Sequence, residues 1–157
     1  MDDSLFTYSA LRNIQPVAET AALLATNEKS ANYGLLLSEQ EAALLVQANR
    51  DALRVQERIE FGKSILVKLV EAFMHSAYLS QSDYASTLMA LLDIFYEAKE
   101  ESMDILTDDE VIEQMYSFFE QESGGNLEVL QTRDMEALCR SIRDLAYTIG
   151  PTEEDIF

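Results

Sequence analysis

Apolar residues recur every three or four positions along most of this chain, the spacing that places them on one face of an α-helix. We find no convincing alternation of apolar and polar residues, which would indicate half-buried strands. Glycine and proline are scarce, at five and two residues, and they fall where helices should end. The pattern predicts an all-α fold, a compact bundle of about six helices in a single domain spanning residues 1–157. Residues 1–13 and 151–157 are expected to fray.

Capping signals mark the first two predicted helices. Pro16 suits the first turn of a helix because it lacks the N–H that would go unbonded there, and this helix should run to about Ala31. Ser38 with Glu41 three residues later forms a capping box, in which each side chain accepts a hydrogen bond from the other residue's backbone. The sequence therefore predicts a second helix from this box to about Gln56.

The most hydrophobic part of the chain follows Gly62 and predicts a central helix. Its apolar face consists of Ile65, Leu66, Leu69, Val70, Phe73 and Ala77. Ser80 or Ser82 is expected to cap the next helix. The apolar stripe of that helix consists of Tyr84, Leu88, Leu91, Leu92, Phe95 and Tyr96.

A second capping box opens the fifth predicted helix. It consists of Thr107 and Glu110, and Gly124-Gly125 should end the helix.

The last predicted helix follows a short link. Residues 126–130 could be extended, and Thr132 is the expected cap of the helix behind them. Gly150-Pro151 should end it.

Charge excludes one large class of partners. The net charge is −18, and it is uneven along the chain. Residues 1–76 carry seven basic and ten acidic side chains, whereas residues 77–157 carry four and nineteen. Because such a surface repels phosphate backbones, nucleic-acid binding is not expected.

The sequence also favours a particular compartment. The segment MDDSLFTYSA has two aspartates where a secretory signal would carry positive charge, and no apolar segment follows it. The apolar runs are far shorter than the ~20 residues that span a bilayer, so no membrane role is expected. The one cysteine, Cys139, excludes an intramolecular disulfide and suits a reducing environment. We therefore expect a cytoplasmic protein.

Gly62-Lys63-Ser64 resembles the end of a phosphate-binding loop, but its surroundings favour a simple turn. Such a loop needs a further glycine five residues before the Gly-Lys pair, and Glu57 stands there instead. A buried strand should also precede it, whereas a helical pattern does. We interpret the triplet as an interhelical turn in which Gly62 supplies a permissive backbone angle and Ser64 a capping oxygen.

The histidine and cysteine content argues against several catalytic sites. His75 is the only histidine, which excludes any site that needs two. Cys139 lies on the apolar stripe of the last predicted helix, where thiols are mostly inert core residues, so a Cys–His pair is not favoured. No cofactor is expected.

A cluster of carboxylates is the most prominent charged feature, and three interpretations of it are open. Its members Asp93, Glu97, Glu100, Glu101 and Asp104 are spaced three and four residues apart, so they repel one another on one helix. The cluster is a solvated face that keeps the protein soluble, a surface for a basic partner, or a site for Mg²⁺ or Ca²⁺. We favour the solvated face because no calcium-loop motif is present.

Arg50, Arg54 and Arg58 recur every four residues, which would place three guanidinium groups along one side of the second helix. This stripe could bind an anionic ligand or partner because arginine offers paired planar donors. Internal pairing or exposure to solvent is the favoured interpretation, since such surface pairs are common and weak.

The fifth predicted helix carries the best candidate for an interaction patch. Phe118 and Phe119 are adjacent, so a helix cannot bury both equally on one narrow face. The candidate residues are Met115, Tyr116, Phe118 and Phe119, with the neighbouring carboxylates Glu113 and Glu120. Plain core packing is the favoured alternative for the apolar four.

Four segments resemble a known family. They are RIEFGKSILVKLVEAF, DYASTLMALLDIFYEAKEE, LTDDEVIEQM and GGNLEVL. They resemble a family of small bacterial proteins catalogued only as a domain of unknown function, and the resemblance spans roughly Tyr33 to Arg143. It implies a bacterial, cytoplasmic protein, with no activity or site residues to transfer.

These observations together predict a non-catalytic protein that binds another protein, with a basic partner or self-association into a homo-oligomer as the two forms. Its binding surface would be an apolar helix face ringed by carboxylates, with apolar burial supplying affinity and charge supplying steering. The alternative is a divalent-metal-dependent enzyme or sensor that uses the carboxylates between Asp93 and Asp104. A third, weaker alternative is an acidic mimic of nucleic acid.

Overall fold

The computed structural model describes residues 16–156, and it describes the side chains of residues 16–148. Every regular element in this part of the chain is helical, which confirms the all-α class. Six of its helices have nine or more residues, as the hydrophobic pattern predicts, and two are shorter. They are α1 (residues 16–25), α2 (Asn27–Ser30), α3 (Glu39–Val55), α4 (Ile65–Phe73), α5 (Tyr84–Glu101), α6 (Asp108–Glu120), α7 (Leu127–Val129) and α8 (Glu136–Ile156).

Contacts divide the chain into two compact units, Met1–Met89 and Ala90–Phe157. The boundary between them falls inside the continuous helix α5. A single domain over residues 1–157 therefore stays a prediction. The expected fraying of residues 1–13 lies outside the described part of the chain.

Both capping boxes form as the sequence predicts. Ser38 Oγ accepts from the Glu41 N–H at 3.0 Å, and Glu41 Oε1 accepts from the Ser38 N–H at 2.9 Å. Thr107 and Glu110 exchange the same pair of bonds, at 3.2 and 2.9 Å. Each box satisfies two backbone donors that the first helical turn leaves without a partner, and so fixes where α3 and α6 begin.

Side-chain amides stabilise the extended segment that enters α3. Asn27 donates to the Leu37 carbonyl and accepts from its N–H, both at 2.9 Å. Gln81 forms the same two bonds with Leu36, at 3.0 and 2.7 Å. These amides take the place of a neighbouring strand, because the backbone groups of the segment need partners and no strand is present among residues 16–156.

The Gly-Lys-Ser triplet lies in an interhelical turn, as predicted. Gly62 has a φ of +71°, in the left-handed region that glycine tolerates best. Ser64 caps α4 by accepting from the Leu66 N–H at 3.2 Å. Glu60 Oε2 also accepts from the Ile65 N–H at 3.0 Å, so two oxygens cover the start of the helix.

Helices α4 and α5 supply much of the buried apolar surface. The predicted faces are confirmed for the buried residues Ile65, Leu66, Leu69, Val70, Phe73, Tyr84, Leu88, Leu91, Leu92, Phe95 and Tyr96. Ala77 is an exception, since α4 ends at Phe73 and leaves this alanine exposed. The apolar period alone could not reveal that early end.

The last helical segment begins earlier than predicted. Asn126 Oδ1 accepts from the Val129 N–H at 3.0 Å and caps α7. Only this capping residue is extended, and residues 127–130 of the predicted link are helical. Leu130–Met135 then forms a π-helical segment that leads into α8. Thr132, the predicted cap, lies inside this path and donates to the Glu128 carbonyl at 2.7 Å. Helix α8 also continues to Ile156, past the predicted end at Gly150-Pro151.

A buried lysine closes the loop between α5 and α6. Lys99, the one basic side chain of residues 93–128, is only 8% exposed. Its Nζ donates to the Leu106 carbonyl at 2.8 Å and pairs with Asp108 at 2.9 Å and Asp104 at 3.6 Å. A buried ammonium group needs such partners, so this contact fixes the loop that leads into α6.

We expect Lys99→Met to lower the free energy of unfolding by about 2 kcal/mol, because it leaves the Leu106 carbonyl without its donor and two aspartates without their cation. Urea denaturation measures this change. Lys29→Met is the control, because Lys29 is 70% exposed and lies 4.0 Å from Glu71, and it should cost less than about 0.5 kcal/mol. Equal losses in the two variants would contradict a stabilising role for the Lys99 contacts.

Candidate functional site

Only some of the residues predicted to form an interaction patch on α6 lie on the surface. Met115 and Phe119 are 0% and 1% exposed, so they are core residues, which corrects their placement on an interaction surface. Phe118 and Tyr116 are half-buried, and Glu113 is exposed. The expectation that two adjacent phenylalanines would be buried unequally is confirmed. Of the four predicted apolar residues, only the partly exposed rings of Tyr116 and Phe118 reach the surface of α6, and they do not form a continuous apolar face.

Glu120 shows a different kind of environment at the end of α6. It is half-buried, and its Oε1 is enclosed without a hydrogen-bond partner among the described residues. Burial first, and then the charge of Glu120, raises the pKa of the nearby Tyr116.

The three arginines do not form a stripe on α3. Arg50 pairs with Glu19 at 3.0 Å, and Arg54 pairs with Asp51 at 3.3 Å. Arg58 lies beyond the end of the helix at Val55, because the chain turns through a left-handed backbone conformation at residue 57. The predicted helical alignment is therefore wrong for Arg58, and the other two arginines have internal partners, as the favoured interpretation expected.

His75 and Cys139 have separate structural roles. The His75 ring packs edge-on against Tyr33 with 4.9 Å between ring centroids. Cys139 is buried, and its thiol lies 3.7 Å from the Ala98 carbonyl. Burial, and then the charge of Glu101, raises the pKa of this thiol. The thiol therefore stays protonated at neutral pH, the form that is a poor nucleophile.

A cleft between α5 and the last helical segment is the candidate site in the second unit. Its volume is about 150 Å³. The floor is apolar and consists of Ile94, Ala98, Met135 and Cys139, all of them buried. The rim is polar and consists of Glu97, Glu101, Gln131, Glu136 and Arg143. We call this feature the α5–α8 cleft.

Hydrogen bonds hold the rim in place. Gln131 Nε2 donates to Glu97 at 2.6 Å. Arg143 donates to the Glu101 carboxylate at 2.6 Å and to the Glu101 carbonyl at 3.0 Å. A carboxylate has about four acceptor positions, so each glutamate keeps capacity for a further donor. The rim is thus pre-arranged: its lining holds three carboxylates and one guanidinium, and the carboxylate of Glu136 also pairs with Arg140 at 2.9 Å.

The π-helical segment Leu130–Met135 positions one wall of the cleft. Wider turns of this kind often occur at functional sites, and here they bring Gln131 to the rim and Met135 to the floor. Asp134 holds the segment against the loop that follows α6, because its carboxylate accepts a hydrogen bond from the Ser123 hydroxyl at 2.5 Å. The same carboxylate also accepts from Arg133 Nε at 2.8 Å. Sequence analysis missed this wall because it placed the helix start at Thr132.

The predicted acidic cluster is distributed over several environments. Glu97 and Glu101 belong to the cleft, whereas Asp104 lies beside Lys99. Asp93 is largely exposed, and the protein atoms around the base of its side chain remove some of its hydration, which, followed by the charge of Glu97, raises its pKa. Among the described residues, no three histidine, cysteine or carboxylate side chains come together in a way that could hold a metal ion.

The fold and the cleft define this chain as a small all-helical protein, and the family comparison agrees with the resemblance noted in its sequence. The chain belongs to a family of unknown function, DUF6323, whose model matches residues 22–147. No curated protein and no solved structure matches the chain. In the described residues, no helix combines the length and apolar character needed to cross a membrane.

Asp134 should contribute to stability in a pH-dependent way. The hydrogen bond from Arg133 holds its pKa below the usual range, and the Ser123 hydroxyl lowers it further. A carboxyl whose pKa is lower in the folded state stabilises the fold above its unfolded pKa, about 3.9, and loses that contribution as pH falls through the folded value.

We expect Asp134→Asn to lower the free energy of unfolding by roughly 1–2 kcal/mol at pH 7, and the difference from wild type to shrink as pH falls below about 4. Urea titrations at several pH values measure it. The control Asp144→Asn removes an exposed carboxylate of the same unit, and it should change the free energy of unfolding little at any of these pH values. A difference for Asp134→Asn that stays constant as pH falls would show that its charge is not the stabilising element.

Proposed function

We propose that this protein is a non-catalytic interaction module, and that its α5–α8 cleft binds a protein segment with an apolar side chain flanked by cationic ones. The observation that carries the proposal is the combination of an apolar floor with a rim of three carboxylates. The binding mechanism is the one expected from the sequence, an apolar helix face ringed by acidic groups. Its proposed location is α5, whereas the sequence placed it on α6.

The floor would supply most of the affinity. Ile94, Ala98 and Met135 offer a dry apolar surface to an inserted side chain. Full burial of a leucine or phenylalanine contributes roughly 1.5–3 kcal/mol. A cavity of about 150 Å³ accepts one such side chain, which favours a short segment as the partner over a large flat surface.

The rim would supply selection. Carboxylates around an apolar pocket attract a cationic segment and reject an anionic one, which affects association rate and specificity more than raw affinity. Gln131 and Arg143 already orient Glu97 and Glu101, so little side-chain freedom is lost on binding. The net charge of −18 extends this preference to the approach of the partner.

A non-catalytic role is supported by the chemistry of the cleft. Its one nucleophilic side chain, Cys139, is buried and has a raised pKa, so it is poorly suited to attack a substrate. Action in the cytoplasm belongs to the same proposal, since a buried thiol with no disulfide partner suits a reducing compartment.

The proposal is tested with a short dye-labelled peptide that carries one phenylalanine between two arginines. We expect saturable binding by fluorescence anisotropy, and roughly tenfold weaker binding to a Glu97→Gln, Glu136→Gln double variant, because two rim charges are lost while side-chain size is kept. A peptide with glutamine in place of both arginines should bind wild type as weakly as the arginine peptide binds the double variant.

The matched control is the double variant Glu113→Gln, Glu128→Gln, which removes the same charge from exposed positions outside the cleft. It should bind the arginine peptide like wild type. If the two double variants weaken binding equally, only bulk charge matters and the cleft is not the site. Loss of binding in the control alone would place the site outside the cleft.

A further inference from the structure

The last helical segment changes its hydrogen-bonding register where it passes the cleft. Helices α7 and α8 are α-helical, and Leu130–Met135 between them is π-helical. A π-helix pairs backbone groups five residues apart, where an α-helix pairs groups four residues apart. The register therefore decides which side chains of this segment face α5.

The burial pattern of the segment fits the π register. Leu130 and Met135 are 0% and 3% exposed, although they stand five positions apart. An α-helix would place two such residues about 140° from each other around its axis, because each residue advances by about 100°. The wider π-helical turn brings them nearly into line. Cys139, four positions after Met135, then follows at the α-helical spacing and is buried as well.

Two successive residues of the π-helical segment are bound to the loop that follows α6. The Asp134 side chain is 9% exposed and accepts from the Ser123 hydroxyl at 2.5 Å. Arg133 donates from Nε to Asp134 at 2.8 Å and from Nη2 to the Glu122 carbonyl, also at 2.8 Å. Hydrogen bonds to an ionised carboxylate are among the stronger ones, so rotation of the segment away from this loop is costly.

The loop offers these residues a fixed support. The Ser123 N–H donates to the Phe118 carbonyl at 2.7 Å, and the Gly125 N–H donates to the Phe119 carbonyl at 2.8 Å. Ser123 is itself only 7% exposed. Its hydroxyl is therefore held in place by the end of α6, and it can set the position of Asp134.

We propose that Asp134 is a positioning residue of the α5–α8 cleft: its bond from Ser123 holds the segment in the π register, and only this register forms the wall that binds a ligand. The inference rests on the proposed function, because it concerns how that site is formed. Neither Ser123 nor Asp134 lines the cleft, so their effect on binding passes through Gln131 and Met135.

A change to the α register would dismantle the rim. Helix α8 is bound to α5 by Arg143, which donates to Glu101 at 2.6 Å, so the part of the chain before α8 is the part that rotates. Replacing the π-helical turn by an α-helical one rotates that part by about 100°, which is one residue. Gln131 would then leave Glu97, to which it now donates at 2.6 Å. The cleft thus has a competent and an incompetent form, and the Ser123–Asp134 contact favours the first.

The variant Ser123→Ala tests the proposal, because it removes the donor to Asp134 and leaves every residue that lines the cleft in place. The matched control is Ser102→Ala. It removes the hydroxyl of another buried serine of the same unit, which donates to the Lys99 carbonyl at 3.3 Å. Circular dichroism melting establishes that both variants are folded.

A second variant keeps the test informative if Ser123→Ala does not fold. Arg133→Met removes the other donor to Asp134 and the bond to the Glu122 carbonyl. The Arg133 side chain is 60% exposed, so the substitution leaves the core intact. Its effects should have the same direction as those of Ser123→Ala.

Two measurements on the free protein report the register directly. NMR couplings across backbone hydrogen bonds should join residues five apart within Leu130–Met135 in wild type and in Ser102→Ala, and residues four apart in Ser123→Ala. Cys139, the one thiol, lies on the cleft floor. Its alkylation under native conditions should be roughly tenfold faster in Ser123→Ala than in Ser102→Ala, because the wall that covers it opens.

Binding of the arginine peptide reports the consequence for the site. We expect roughly tenfold weaker binding to Ser123→Ala than to wild type, and wild-type binding to Ser102→Ala. Gln131→Ala should weaken binding in wild type and add nothing in the Ser123→Ala background, because Gln131 has already left the rim there. A simple loss of stability would not produce this coupling.

Three results would overturn the proposal. They are π-helical couplings that persist in Ser123→Ala, a peptide affinity that falls equally in Ser102→Ala, and effects of Ser123→Ala and Gln131→Ala that add independently. A changed register with unchanged binding would also refute it, since the wall would then be unnecessary. If wild type does not bind the peptide but the couplings and the alkylation rate change as expected, the proposed function fails and the hold of Asp134 on the cleft wall stands.

Discussion

The near-complete burial of helix α5 is the constraint on which the rest of the second unit depends. From Leu91 to Lys99 its side chains are buried except at two positions, Asp93 and Glu97. A helix packed on almost all sides leaves only one narrow strip for groups that must stay solvated. The carboxylates of α5 fall on that strip because a buried, unpaired charge would be costly.

This constraint explains why an acidic rim and an apolar floor occur together. Glu97 and Glu101 lie at the edge of the strip, while Ile94 and Ala98, one turn apart on the same helix, are buried in the packed side. The last helical segment covers only part of this boundary and leaves the cleft. Hydrogen bonds from Gln131 and Arg143 then offset part of the repulsion between carboxylates one turn apart.

Local signals were readable from the sequence. The boxes at Ser38 and Thr107 and the turn at Gly62 were predicted because each depends on residues within a few positions. The buried faces of α4 and α5 followed from their apolar period. The start of the last helix was misplaced because both Asn126 and Thr132 are good caps, and only the fold selects between them.

The candidate site was only half predictable, because it forms between segments distant in sequence. The carboxylates of α5 stood out, but Gln131 lies 34 residues from Glu97, and no period or motif links them. The alignment of Arg58 with α3 failed for a related reason, since a left-handed residue ended the helix before it. The prediction that Met115 and Phe119 belong to an exposed face of α6 was wrong. Their spacing shows that they share a side of the helix, but it does not show whether neighbouring elements cover that side.

Methyl-resolved NMR tests the central claim most directly, because it reports where a ligand binds. Isotope labels on isoleucine and methionine methyl groups would be observed during titration with the arginine peptide. The account predicts that Ile94 and Met135 show the largest shift changes, and that the buried Met115 of α6 stays unchanged. Shifts confined to α6, or no saturable shift at the cleft methyls, would contradict it.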